Sequence, residues 1–326
     1  MPQITRSHFD SADSLLSTSL DPLETTMQAA GVPLREHAAP SPDVGVIFRH
    51  SGWSRYRDQI ASAFASLHLP DTRRTNFACC GEGAWVWQSP DDPTHYKLSG
   101  NYCHDRWCLP CGAARGRTIA RNAMAYVAGR QLRFLTLTLR QVQAPLREHI
   151  DRLTDCFARL RRSRFWRDNV AGGMAILEVK HGAQAGTWNA HYHVLVEGKY
   201  LPHAIIKAMW HRITGDSYVV DIRAVGSTDA AAHYITKYVS KPLDRSVFRD
   251  EATLREAISA MHGKRTLSTF GAWSGLSLTS EDTDAEWISI GPLAELQRDA
   301  HSGDAAAKQI LLSLHRETYA PRGDDP

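Results

Sequence analysis

The 326-residue chain contains no run of about eighteen apolar residues, so no membrane-spanning helix is expected. Met1 to Asp10 is polar and no apolar segment follows it, so no secretory leader is expected either. No phosphate-binding Gly-x4-Gly-Lys-Ser/Thr motif occurs, so no fused ATPase or helicase is expected. Cysteine is scarce. Of six, five lie between positions 79 and 111, a bunching unlike a secreted disulfide scaffold, and a cytoplasmic protein is expected. The net charge of +3 does not by itself announce a nucleic-acid partner. Its distribution says more, because residues 101–170 hold fourteen arginines and no lysine against five acids. An arginine-only excess favours a phosphate backbone as partner. With 43% hydrophobic residues the chain can bury a core for one or two domains.

Two stretches carry candidate chemistry. Asn189-Ala190-His191-Tyr192-His193-Val194-Leu195-Val196 alternates and ends in a β-rich run, which predicts a strand with both imidazoles on one face. Two neutral imidazoles so placed are a ready bite for a divalent metal. The second stretch, His233 to Lys241, lacks glycine and stops at Pro242, which predicts a helix. Tyr234 and Tyr238 then share one face, and Lys237 and Lys241 an adjacent one. Alone, the first is more often a structural histidine pair than a metal site, and the second is usually an amphipathic stripe. Together they pair a metal bite with phenols, and a phenol is a nucleophile toward phosphorus when a cation polarises the phosphoryl group.

On these residues the sequence resembles the HUH endonucleases. His191-Tyr192-His193 is similar to their His-hydrophobe-His motif, and Tyr234-Ile235-Thr236-Lys237-Tyr238-Val239-Ser240-Lys241 to the two-tyrosine form of their catalytic helix. That superfamily includes rolling-circle replication initiators and the transposases of rolling-circle elements. The resemblance covers roughly residues 79–241. It implies an antiparallel sheet with the histidines on a central strand and the tyrosines on a helix laid against it. It also implies nicking of one DNA strand through a 5′-phosphotyrosine, with Lys237 or Lys241 steadying phenolate or phosphate. Helical spacing treats the two tyrosines alike, so which attacks first is not readable.

A third ligand comes from the preceding strand, Gly173–Lys180. The polar turn His181–Thr187 folds it back as a hairpin and brings Glu178 roughly opposite His191; Glu197 is a rival. An acid in the strand before the histidine pair is also a common pattern among the relatives. Three protein ligands leave room for phosphate oxygens on Mg²⁺ or Mn²⁺.

Cys103-x4-Cys108-x2-Cys111, with Pro110 and Gly112 beside the last thiol, has the spacing of a zinc knuckle. Cys80, followed by a turn-forming glycine, is the favoured fourth ligand; Cys79 and His104 remain candidates. The zinc is expected to be structural, since four protein ligands leave no position open to water. The knuckle also resembles one that precedes the catalytic core in some plasmid rolling-circle initiators, followed there too by an arginine-bearing helix. Here that helix would span Ala113–Gly129 with Arg115, Arg117 and Arg121 exposed.

Other segments follow from periodicity. Helices are predicted at Trp53–Leu67, at 145–166 with Arg161, Arg162 and Arg164 on a basic side, at 202–213, at 248–262 and at 292–314. Strands are predicted at 84–87, 133–139, 218–225 and 264–270. A short helix near Pro22–Gly31 would interrupt an otherwise loose arm. The expected organisation is an arm over 1–45, a helix plus zinc module over 46–128, a nuclease core over 129–245 and a C-terminal extension over 246–326. The fold class is α+β, a mainly antiparallel sheet flanked by helices. The expected function is that of a rolling-circle replication initiator. It would bind a duplex origin or element end, cleave a single strand, and work with a host helicase and polymerase. A transposase of the same chemistry and a non-catalytic zinc-containing DNA-binding regulator are the alternatives.

Overall fold

A computed structural model describes residues 43–127, 129–182, 184, 186–226, 231, 234, 235, 238, 244–279 and 286–319. The expected helix near Pro22–Gly31, nearly all of the expected arm, and Lys237 and Lys241 lie outside the described residues.

The centre is a five-stranded, wholly antiparallel sheet. Its strands are β3 (Leu132–Thr138), β4 (Val170–His181), β5 (Trp188–Gly198), β6 (Val220–Ala224) and β7 (Leu267–Gly271), in spatial order β6-β3-β5-β4-β7. The long β4–β5 hairpin forms because both strands alternate and a short polar segment joins them. Its register puts Glu178 directly across from His191, and β3 brings Thr136 across from His193. Gly173 is needed for this pairing, since a Cβ there would sit 2.1 Å from the Leu195 carbonyl oxygen.

Alternation sorts the strands into two faces. Leu135, Leu137, Ala175, Leu177, Tyr192, Val194 and Val196 are buried on one. Against them pack helices α5 (Leu146–Arg162), α7 (His203–Thr214) and α8 (Glu251–Ala260). Helix α5 shows why. Leu146, Ile150, Leu153, Phe157 and Leu160 recur at helical spacing, and all are buried. The predicted helix over 145–166 breaks at Ser163, which caps α6 (Arg164–Asn169) by accepting from the Trp166 amide at 3.2 Å. Trp210 on α7 is buried, and its indole donates to the Thr138 carbonyl at 2.9 Å.

The other sheet face carries Glu178, His191, His193 and Leu195. It is covered by α4 (Leu109–Val127), through Ile119, Ala120 and Ala123, and by helical residues Ala231 and Ile235. The histidines are thus on a central strand, enclosed by a helical layer.

A second sheet joins β1 (Trp85–Gln88) and β2 (Tyr96–Ser99) to β8 (Ile288–Pro292), in order β2-β1-β8. Helices α9 (Leu293–Ser302) and α10 (Ala305–Tyr319) pack on it around Val86, Leu293, Leu296 and Leu314. The single helix predicted over 292–314 breaks at Gly303, whose φ of 110° is costly for any residue with a Cβ. Helices α1 (Val44–His50), α2 (Ser54–Ser66) and α3 (Asp71–Ala78) precede the cysteines. Neither α1 nor α3 was anticipated, because seven or eight residues are too few for a clear apolar period.

From Asp43 onward the described residues belong to one compact unit. The boundary expected at 245/246 is crossed twice, since β7 completes the main sheet beside β4 and β8 pairs with β1. That expected at 128/129 is crossed by α4, which lies on the histidine face of the sheet. No helix among the described residues is long and apolar enough to cross a membrane.

Candidate metal and tyrosine site

Nε2 of His191 and Nε2 of His193 converge on one oxygen of Glu178, at 2.7 and 2.8 Å. All three side chains are largely buried, and their ligand atoms lie within 4.8 Å of one another. Burial would raise the Glu178 pKa, but the bonds to His191 and His193 prevail and hold it far below the carboxylate range. Burial lowers the His193 pKa, favouring the neutral imidazole that a metal needs. Two imidazole nitrogens and one anionic oxygen converging on a point fit a divalent cation. Glu197, the rival ligand, is engaged elsewhere: it pairs with Arg130 at 2.8 Å and accepts from the Trp273 indole at 2.7 Å.

Both tyrosines lie against this group. The Tyr238 ring stacks on His193 with centroids 3.5 Å apart and planes 21° apart. Tyr234 stacks on Phe134 at 3.6 Å, and its hydroxyl lies 3.3 Å from His193 Nδ1. The two phenol rings are 4.6 Å apart. Burial, and then the neighbouring Tyr238, push the Tyr234 pKa above its ordinary value. Thr136 Oγ1 stands 3.4 Å from the same Nδ1. Phe134 and Thr136 lie on the strand predicted over 133–139, where the threonine was given no catalytic role; they reach the site through the β3–β5 pairing, which leaves no local mark.

Cys80, Cys103, Cys108 and Cys111 form a second group, with ligand atoms within 4.8 Å of one another. Sulfur separations are 3.7 Å for Cys80–Cys108, 3.6 Å for Cys80–Cys111 and 3.8 Å for Cys103–Cys111. A tetrahedron with metal–sulfur bonds of about 2.3 Å has edges of ~3.8 Å, so the four thiols fit zinc. Cys79 and His104 are outside the group. Hydrogen bonds from Cys103 and Cys108 bring the Cys111 pKa down to about 6, toward the thiolate. Arg49 Nη2, unanticipated, donates to Cys111 Sγ at 3.2 Å. Arg106, inside the knuckle, donates to the carbonyls of Met261 and Lys264 at 3.2 and 2.8 Å, which fastens the module to the end of α8.

The arginines divide between layers. Arg115, Arg117 and Arg121 are exposed on α4, on the histidine side of the sheet. Arg162 and Arg164 are exposed on α5 and α6, on the opposite side, while half-buried Arg161 lies 5.0 Å over the Phe157 ring and 5.4 Å over that of Phe270.

A family model described as a replication protein matches residues 96–314. A Protein rep of Lactiplantibacillus plantarum is 26% identical over 261 residues, covering 69% of this chain and 81% of the relative. A Protein rep of Streptococcus pneumoniae serotype 2 is 25% identical over 238 residues, covering 65% and 73%. A Protein rep of a Bacillus species is 30% identical over 153 residues, covering 41% and 50%. No solved structure matches the chain.

Proposed function

The chain belongs to the replication-protein family, and from that premise we propose that it initiates rolling-circle replication by nicking one DNA strand with a tyrosine. The observation that carries the chemistry is the convergence of His191, His193 and Glu178 beneath two phenols. A Mg²⁺ or Mn²⁺ ion on these three ligands would polarise the scissile phosphoryl group. The phenol oxygen attacks phosphorus, forming an O–P bond as the bond from phosphorus to the 3′ oxygen breaks. The phenol proton leaves, the 3′ oxygen gains one, and the chain holds a 5′-phosphotyrosine beside a 3′-hydroxyl able to prime synthesis.

Tyr238 is the phenol we assign to the first attack. It lines the groove that also reaches Glu178, whereas Tyr234 sits between Phe134 and His193. Tyr234 is then available for a second transfer while the first phenol is occupied. Lys237 and Lys241 would steady the phenolate or the phosphate. Cys80, Cys103, Cys108 and Cys111 hold a structural zinc. Arg115, Arg117 and Arg121 meet DNA on the histidine side; Arg162 and Arg164, with Arg161 behind them, offer a separate surface for duplex. Host helicase and polymerase complete the reaction.

Purified protein should be incubated with labelled single-stranded DNA from its own locus, with and without Mn²⁺, beside Tyr234→Phe, Tyr238→Phe and the double variant. On a denaturing gel the wild type should give a metal-dependent protein–DNA adduct. Tyr238→Phe should remove most of it and the double variant all of it. Tight duplex binding with no adduct would instead favour a regulator.

A further inference from the structure

We propose that the groove between α4 and edge strand β7 seats the DNA strand on one side of the scissile phosphate, with Arg115 and Arg265 holding its backbone and room for a single strand only. This rests on the nuclease reading above. The groove has a volume of about 440 Å³. Arg115 lines it from α4, Arg265 from the approach to β7 and Thr269 from β7 itself. Thr269 pairs with Met174 in the sheet, which puts its side chain on the same face as Glu178 and the histidines. Glu178 and Tyr238 also line the groove, so it opens onto the atoms that would meet the phosphate.

Charge is the stronger argument. Arg115 and Arg265 are both exposed, and neither forms an ion pair among the described residues. The acids facing the groove are Glu178, engaged by the histidines, and Asp244, 3.9 Å from Lys180. Two exposed arginines that pair with neither acid are balanced by a ligand that brings its own charges, and a phosphodiester backbone does so. Arg265 does not come from the arginine-rich stretch 101–170; the β4–β7 pairing just after it and the Arg106 bond to the Lys264 carbonyl just before it carry it to this place. The volume lies within the range of small-ligand pockets, which suits a nucleotide-sized group and cannot enclose a duplex.

The test measures binding of a single-stranded oligonucleotide by fluorescence anisotropy across a salt series. All proteins carry Tyr234→Phe/Tyr238→Phe, so the result does not depend on chemistry. Adding Arg115→Ala/Arg265→Ala should weaken binding at least tenfold and make the dependence of log affinity on log salt shallower by about 1.4, or ~0.7 for each phosphate no longer neutralised. The charge-matched Arg55→Ala/Arg212→Ala pair should bind as its parent does. Blunt linear duplex should lose far less than the single strand. Unchanged single-strand affinity and slope would overturn the proposal, as would a loss no greater than that of the Arg55/Arg212 pair or an equal loss for duplex. Thermal unfolding checks the fold; if the double substitution disturbs it, Arg265→Ala alone should change the slope by about 0.7. Absence of an adduct from the protein with intact tyrosines would sink the nuclease reading and leave this binding result readable.

Discussion

His193 is the residue on which the site turns, because each of its ring nitrogens has a neighbour. Nε2 faces Glu178 at 2.8 Å, while Nδ1 has Tyr234 and Thr136 within 3.4 Å. When Nε2 binds a cation, Nδ1 carries the proton and a hydroxyl oxygen can accept it, which fixes the ring's orientation. Glu178→Gln should therefore reduce Mn²⁺ affinity by well over tenfold in a calorimetric titration, and Thr136→Val by about tenfold. Both variants should keep the metal content of the four-cysteine group. A Thr136→Val titration that overlays the wild type would remove the threonine from this role. His191, His193 and Glu178 were legible because a two-residue period and one short turn are local facts. Thr136 was read only as part of a strand; its place beside His193 was not legible, because 57 residues separate the two in the chain.

Among elements, α5 depends on its ends as much as on its apolar stripe. Arg152 donates to Asp216 at 2.6 Å and to the Thr214 carbonyl at 3.0 Å, tying α5 to the end of α7. What burial Asp216 has raises its pKa, but the bonds from Arg152 and Ser217 outweigh it and the net shift is downward. A carboxylate depressed in the folded state contributes stability that is present above its unfolded pKa and lost as pH falls through the folded one. Asp216→Asn should thus be less stable than wild type at neutral pH by at most about 1 kcal/mol, since the pair is partly exposed. Thermal unfolding between neutrality and strong acid should show that gap closing on the acid side of the carboxylate range. A gap constant with pH would mean that the ion pair contributes nothing. The helix itself was readable from its spacing. Its break at Ser163 was not, because a serine between arginines looks the same within a helix as at a cap until its oxygen meets the Trp166 amide.

For the molecule as a whole, pairings between distant segments matter more than any division along the chain. Strand β7 joins the main sheet about ninety residues after its partner β4, and β8 joins a hairpin some two hundred residues upstream. No periodicity announces such partners, which is why the expected segments did not match the layers, although the antiparallel α+β class did. The four-cysteine group adds a further long connection. Cys80 stands before the β1–β2 hairpin and Cys103, Cys108 and Cys111 after it, so a metal ion there would act as a cross-link across a closed loop of about thirty residues. Chain-entropy arguments developed for disulfides give a loop of that length roughly 3–4 kcal/mol of stabilisation, felt mostly in the unfolded ensemble. Strong chelation should accordingly lower the unfolding midpoint by several degrees and expose the hairpin to protease first, with zinc restoring both. Unlike a disulfide, such a clasp survives in a reducing compartment and opens when zinc is withdrawn, so the protein's endurance would follow the supply of a trace metal rather than the redox state of its surroundings.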